Sequence, residues 1–142
     1  MEKIKLLLVE DRDIIRDCLK ILLRNCDEIK VVAEAEDGLK ALYYAKNINY
    51  DVVLMDYCMP EMNGQEALKQ ILEINPKAKI IMFSFLNNPF EIRELLELGA
   101  YGYILKDSEL SVYENAIKTV SRGGKYLCNQ TKIILNNTSK WA

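Results

Sequence analysis

Glu10, Asp11, Asp56, Ser84 and Lys106 are the residues of this sequence best suited to handling a charged group, because each follows or ends a short apolar run. Carboxylates that converge repel one another, a cost that falls when a cation sits among them. An oxygen-only donor set, without imidazole or thiolate, suits Mg²⁺ or Mn²⁺. Phosphoryl transfer needs mainly positioning and neutralisation of spread-out negative charge. A carboxylate such as Asp56 can itself be the nucleophile and form an aspartyl phosphate. Lys106 supplies a mobile positive charge for phosphoryl oxygens. Ser84 can donate a hydrogen bond to a further oxygen only when one is there, which suits a sensor. The sequence contains no histidine, which excludes Ser-His-Asp and Cys-His catalysis, histidine metal sites and an internal phosphohistidine.

The elements that must bring these residues together follow from apolar patterning. Ile4–Val9, Ile29–Ala35, Asp51–Asp56, Lys79–Ser84 and Gly102–Leu105 are expected strands. Their non-alternating apolar runs suit a parallel sheet covered on both faces. Helical spacing follows the first strand at Ile14, Ile15, Cys18, Leu19, Leu22 and Leu23. A second helix is capped by Asp37, with Leu39, Leu42 and Tyr43 expected inward. Gly64–Ile74 forms a third, closed by Asn75-Pro76. Asn88-Pro89-Phe90-Glu91 opens a fourth, which stops at Gly99. The last spans Glu109–Arg122, with Leu110, Tyr113, Ile117 and Val120 on one face. Five βα repeats predict a doubly wound α/β domain, and ligands of such sheets bind at the carboxyl ends of the strands. Glu10, Asp11, Asp56, Ser84 and Lys106 all fall on that edge.

The 142 residues fit one domain, half hydrophobic and 28% charged. A net charge of -2 and a pI near 5.3 argue against a nucleic-acid grip by this segment itself. Cys18, Cys26, Cys58 and Cys128 form no C-x-x-C pair, and Cys18 is expected to be a small buried hydrophobe. No signal peptide is expected at the start and no apolar stretch nears the ~20 residues of a membrane span, so the chain reads as cytoplasmic with reduced thiols. Residues 125–142 are rich in Asn, Thr, Ser and Lys around Ile133, Ile134 and Leu135. They read as a tail or linker with room for a short helix.

Glu10-Asp11, Asp56 followed by Met59-Pro60 and Gly64, Ser84, and Gly99-Ala100-Tyr101-Gly102-Tyr103-Ile104-Leu105-Lys106 together resemble the receiver domain of bacterial two-component response regulators. The resemblance covers about residues 4–124. It implies a flavodoxin-like five-stranded sheet in the order 2-1-3-4-5, a receiver domain at 1–124, and a linker at 125–142. It also implies that Asp56 takes a phosphoryl group from a histidine kinase. Asp11 and Asp56 would ligate Mg²⁺ directly, Glu10 through water, and Cys58 through its main-chain carbonyl. Ser84 and Tyr103 would be the switch pair, Ser84 moving toward the phosphoryl group and Tyr103 turning inward. The chain would be no enzyme beyond its own phosphorylation and dephosphorylation. Gly102–Asp107 and the later Arg122-Gly123-Gly124-Lys125-Tyr126-Leu127 look most like LuxR-type (NarL-like) regulators. These act on transcription, touch DNA only through a further C-terminal domain, and pair as homodimers through receiver or tail.

Three departures stand out. Asp107 occupies a position where many receivers have proline, so no cis peptide is expected. Phe85 follows Ser84, where a small residue is usual, and its ring is a candidate modulator of access to the pocket. Glu10 is longer than an aspartate. Singly, each site residue also has a plainer reading: Glu10-Asp11 as a solvated helix start, Asp56 as a turn residue, Lys106 as a surface lysine, Ser84 as a strand-end serine, Tyr103 as a half-buried aromatic. Two further functions compete with the switch. A phosphorylation-independent pseudo-receiver is favoured by Phe85 and opposed by the intact acids and Lys106. A flavin protein or phosphohydrolase is opposed by the acidic loop after the first strand, which repels phosphate, and by the lack of an identifiable general acid-base.

Overall fold

Successive residues of the central strands point to opposite faces, and both faces are dry. Leu7, Val9, Val53, Met55, Ile80 and Met82 pack on one side, and Leu6, Leu8, Val52, Leu54, Ile81 and Phe83 on the other, all fully buried. The computed structural model describes residues 2–86 and 88–139, without the side chains of Ile134, Asn137, Thr138 and Ser139. The element order is β1 (Ile4–Val9), α1 (Asp13–Arg24), β2 (Ile29–Ala35), α2 (Gly38–Asn47), β3 (Val52–Asp56), α3 (Gly64–Ile74), β4 (Ile80–Ser84), α4 (Pro89–Leu98), β5 (Gly102–Leu105), α5 (Leu110–Ser121), β6 (Tyr126–Leu127) and α6 (Asn129–Ser139). Every strand pairing is parallel, in the order β2-β1-β3-β4-β5-β6. α2, α3 and α4 cover the first face; α1 and α5 cover the second.

The doubly wound α/β fold is as expected, with one small difference. Among the described residues the sheet has six strands, because Tyr126–Leu127 pairs with Gly102–Tyr103 of β5. Within the stretch expected as a tail, α6 then folds back toward α4, where Arg93 Nη2 donates to Leu135 O at 2.6 Å. The caps follow the local chemistry. Asp37, Asn63 and Asn88 each accept a main-chain N–H of the first turn of α2, α3 and α4, with Pro89 opening the last. The bond from Lys106 to Asp107 is trans.

Two expectations about which side chains face inward are corrected. Leu39 and Tyr43 are about 60% exposed; α2 instead buries Gly38, Ala41 and Ala45. Small residues let this helix lie close on the sheet, which leaves Leu39 and Tyr43 outside, while Leu42 packs inward as expected, part-buried against the core. Cys18 is exposed, as are Ile14 and Leu22. The sequence 14, 18, 22 and the sequence 15, 19, 23 are both helical stripes one position apart. The second is the buried one, because Arg16 and Lys20 beside it pair with Glu34 of β2. Of the apolar cluster near the end, Leu135 packs against the core and Ile133 is exposed. The side chain of Ile134 and residues 140–142 lie outside the described residues.

Candidate functional site

β1 and β5 end one residue before Glu10 and Lys106, and Asp56 is the last residue of β3. The parallel registers bring these three to one edge of the sheet. Main-chain bonds fix the spot: Glu10 N donates to Ala35 O at 3.0 Å and Lys106 N to Ser84 O at 2.8 Å. Glu10 and Asp56 are buried, at 0% and 1% exposure. Lys106 Nζ lies 2.7 Å from Glu10 Oε1 and 3.0 Å from Asp56 Oδ1. Oxygens of Glu10, Asp11 and Asp56 all lie within 4.8 Å of one another.

One lysine cannot neutralise three crowded carboxylates. Burial, then the neighbouring Asp11 and Glu10 carboxyls, push Asp56 up to about 8 against the opposing pull of Lys106. Burial also acts to raise Asp11. Hydrogen bonding with the Glu10 and Asp56 carboxyls and the charge of Lys106 outweigh it, so Asp11 sits below the ordinary range. Without a cation among them, the crowded acids favour sharing one proton near neutral pH. Asp11 Oδ1 and Asp56 Oδ2 are buried and accept from no N–H or hydroxyl group, so that only a proton on the cluster itself can serve them. Native proteins rarely leave such oxygens unpaired unless something else binds them. This all-oxygen set fits a hard divalent cation.

The remaining expected residues fall around this centre. Cys58 N donates to Asp56 Oδ1 at 3.1 Å, which orients that carboxylate, while the Cys58 side chain is exposed. Ser84 is buried, and its Oγ accepts from Leu86 N at 3.0 Å. Tyr103 is already inward in this structure, and its hydroxyl donates to Leu86 O at 2.5 Å. Burial pushes that hydroxyl up to about 12. Both expected switch residues thus hold the main chain of Leu86. The Phe85 ring is 60% exposed at the rim, its centroid 5.4 Å from Lys106 Nζ.

Sequence reading passed over two residues that hold the site. Arg16 Nη1 donates to Glu10 O at 2.8 Å and fixes the acid loop from α1. Tyr113 donates its hydroxyl to Lys106 O at 2.8 Å, fixing the lysine from α5. Arg16 follows the acid pair by little more than one helical turn, a spacing that offered a signal; nothing local offered one for Tyr113. Gly64 serves by absence of a side chain. A Cβ there would sit 2.5 Å from Asp56 O and 2.7 Å from Tyr57 Cα, so α3 can start against the end of β3 only with glycine at this point.

Residues 6–118 match the response regulator receiver domain family. Over 124 residues the chain is 40% identical to the transcriptional regulatory protein LnrK of Bacillus subtilis (strain 168), covering 87% of this chain and 56% of that protein. It is 38% identical over 119 residues to the chemotaxis protein CheY of Listeria monocytogenes, covering 81% of this chain and 99% of CheY. The chain spans about half the length of the transcriptional regulators it matches first. A LuxR-family two-component response regulator from Aurantimonas sp. SI85-9A1 superposes with a TM-score of 0.94 at 25% identity, covering 98% of this chain and 99% of that one. Among the described residues, no helix is long and apolar enough to cross a membrane. With its strand-end acids and lysine in these places, and relatives of the LuxR type, the chain belongs to the receiver-domain family of two-component response regulators.

Proposed function

We propose that this chain is a phosphorylation-driven signalling switch in which Asp56 accepts a phosphoryl group from the phosphohistidine of a histidine kinase. The observation that carries this reading is a buried carboxylate with one donor-free oxygen, Oδ2, whose other oxygen is held by Cys58 N and Lys106 Nζ. An Asp56 oxygen forms the new bond to phosphorus as the donor's phosphorus–nitrogen bond breaks, leaving an acyl phosphate on the chain. Lys106 neutralises charge on the transferred group, and Ser84 exchanges Leu86 N–H for a phosphoryl oxygen. Glu10, Asp11 and Asp56, with the main-chain carbonyl of Cys58, would hold Mg²⁺, which when bound offsets the charge brought by phosphate.

The chain acts as no enzyme beyond its own phosphorylation and dephosphorylation. Its setting is the cytoplasm, and its output is regulation of transcription. Residues 1–124 carry the switch, and 125–142 lead toward a DNA-binding domain through which alone DNA is touched. A homodimer through receiver or tail is the form that binds.

The test is intact-mass measurement after incubation with acetyl phosphate, with and without Mg²⁺. A single phosphate adduct that needs Mg²⁺ and is lost in Asp56→Asn supports the switch. A second reading, a module working without phosphate, draws on the Phe85 ring beside Lys106. It gains if neither the natural chain nor Phe85→Ala is ever labelled by acetyl phosphate or by a phosphorylated kinase.

A further inference from the structure

The main chain of Leu86 is held twice: Ser84 Oγ accepts its N–H and Tyr103 donates to its carbonyl. Two residues on, Asn88 caps α4 by accepting from Phe90 N at 2.9 Å and Glu91 N at 3.3 Å. One turn further, Arg93 Nη2 donates to Leu135 O in α6. The bonds to Leu86, the Asn88 cap of α4 and the Arg93 side chain therefore lie in succession between the Ser84–Tyr103 pair and the C-terminal helix.

α6 is poorly equipped to stand alone. It has 11 residues, several of them Asn or Thr, and helices this short and of this composition are marginal in water. What holds it is docking. Cys128 Sγ and Thr131 Oγ1 lie 3.1 Å apart at its start, with Thr131 fully buried. Leu135, one turn beyond Thr131, packs against the apolar cluster that includes Leu95 and Leu105. Arg93 places a cation near the negative end of the α6 dipole, where it is favourable.

We propose that α6 is a latch on α4, and that its grip depends on how Ser84 and Tyr103 hold Leu86. When Ser84 Oγ leaves Leu86 N–H, the start of α4 loosens, the Arg93 bond is lost, and α6 frays from the domain. The part played by phosphate rests on the function proposed above; the coupling between Leu86 and α6 does not.

The experiment is amide hydrogen exchange on the full 142-residue chain, following peptides across 128–139 and, as an internal reference, across β1. Arg93→Ala should speed exchange in α6 on the order of tenfold, an opening of local rather than global kind. Ser84→Ala and Tyr103→Phe, which remove only the hydroxyl bonds to the Leu86 main chain, should speed it in the same peptides by a smaller factor while β1 stays as in the natural chain. If Arg93→Ala alone has an effect, α6 is docked but not coupled, and the latch is overturned. If none has an effect, α6 is not held through Arg93 at all. In the phosphate arm, acetyl phosphate and Mg²⁺ are added and the intact mass is taken from the same sample. Adduct with faster α6 exchange supports the latch. Adduct with unchanged exchange overturns it and leaves the switch standing. Lack of adduct counts against the switch reading alone, and the variants still decide the coupling.

Discussion

The acid end of the sheet and the β6–α6 segment are built on opposite terms. Glu10, Asp56 and Lys106 stand at the ends of the interior strands β1, β3 and β5, and main-chain bonds, Arg16 of α1 and Tyr113 of α5 hold Glu10 and Lys106 in place. β6 is two residues long at the edge of the sheet, and α6 lies over α4 by Leu135, Thr131 and one arginine bond. The first region spends stability to hold like charges together; the second costs little to detach. Chemistry that must not drift is placed in the stiff part, and the part fit to change is placed at the margin.

Perturbations at the two ends should therefore differ in size and kind. Asp56→Asn has the largest effect: phosphate labelling falls to nothing, while the fold gains on the order of 1–3 kcal/mol because a crowded buried acid is gone. Labelling of the same site in that variant, seen by mass mapping, would break the assignment. Lys106→Ala leaves buried carboxylates without their cation and should cost about 3–5 kcal/mol in urea unfolding without metal, part of it restored by Mg²⁺. A loss under 1 kcal/mol would mean that the acid end is not strained by charge at all. Gly64→Ala should cost ~1–3 kcal/mol, since the new methyl meets rigid main chain at Asp56 and Tyr57 as well as the yielding end of Met82.

The next contrast is in pH. Asp56 stands near 8 in the folded chain against an ordinary 3.8. Between those values the folded chain keeps a proton that the unfolded chain gives up. Its contribution to stability thus declines as pH rises from about 3.8 and levels off above about 8. The stability difference between Asp56→Asn and the natural chain, measured without metal, should widen across that window. A flat difference would contradict the shared-proton picture. The smallest effect is expected at the rim: Phe85→Ala should shorten the lifetime of the phosphorylated form several-fold by admitting water, with unfolding changed by no more than ~0.5 kcal/mol. Identical decay curves would remove Phe85 from any role in access.

The site was readable because each of its members ends an apolar run. A run buried on both faces announces a central strand, and its terminal Asp, Glu or Lys then has only one edge to occupy. Strand existence and the meeting of Glu10, Asp11, Asp56 and Lys106 followed from that. Side-chain facing was harder. On α1 two stripes one residue apart fit equally well, and only the Arg16 and Lys20 pairs with Glu34 choose between them. On α2 closeness favoured alanine over leucine, which composition does not display. β6 was illegible because two residues carry no periodicity; the short helix α6 had room in the sequence, but its docking did not show because it depends on Arg93, distant in sequence.

Gly102 opens β5, and a Cβ on it would lie 2.7 Å from the carbonyl oxygen of Tyr126 in the next strand. The width of the sheet is thus settled at a position inside it, long before the chain reaches its outer rail. A single methyl group at 102 would turn away a strand that has not yet been laid down. The domain would then finish one strand narrower, with its chemistry intact and its last helix without a berth.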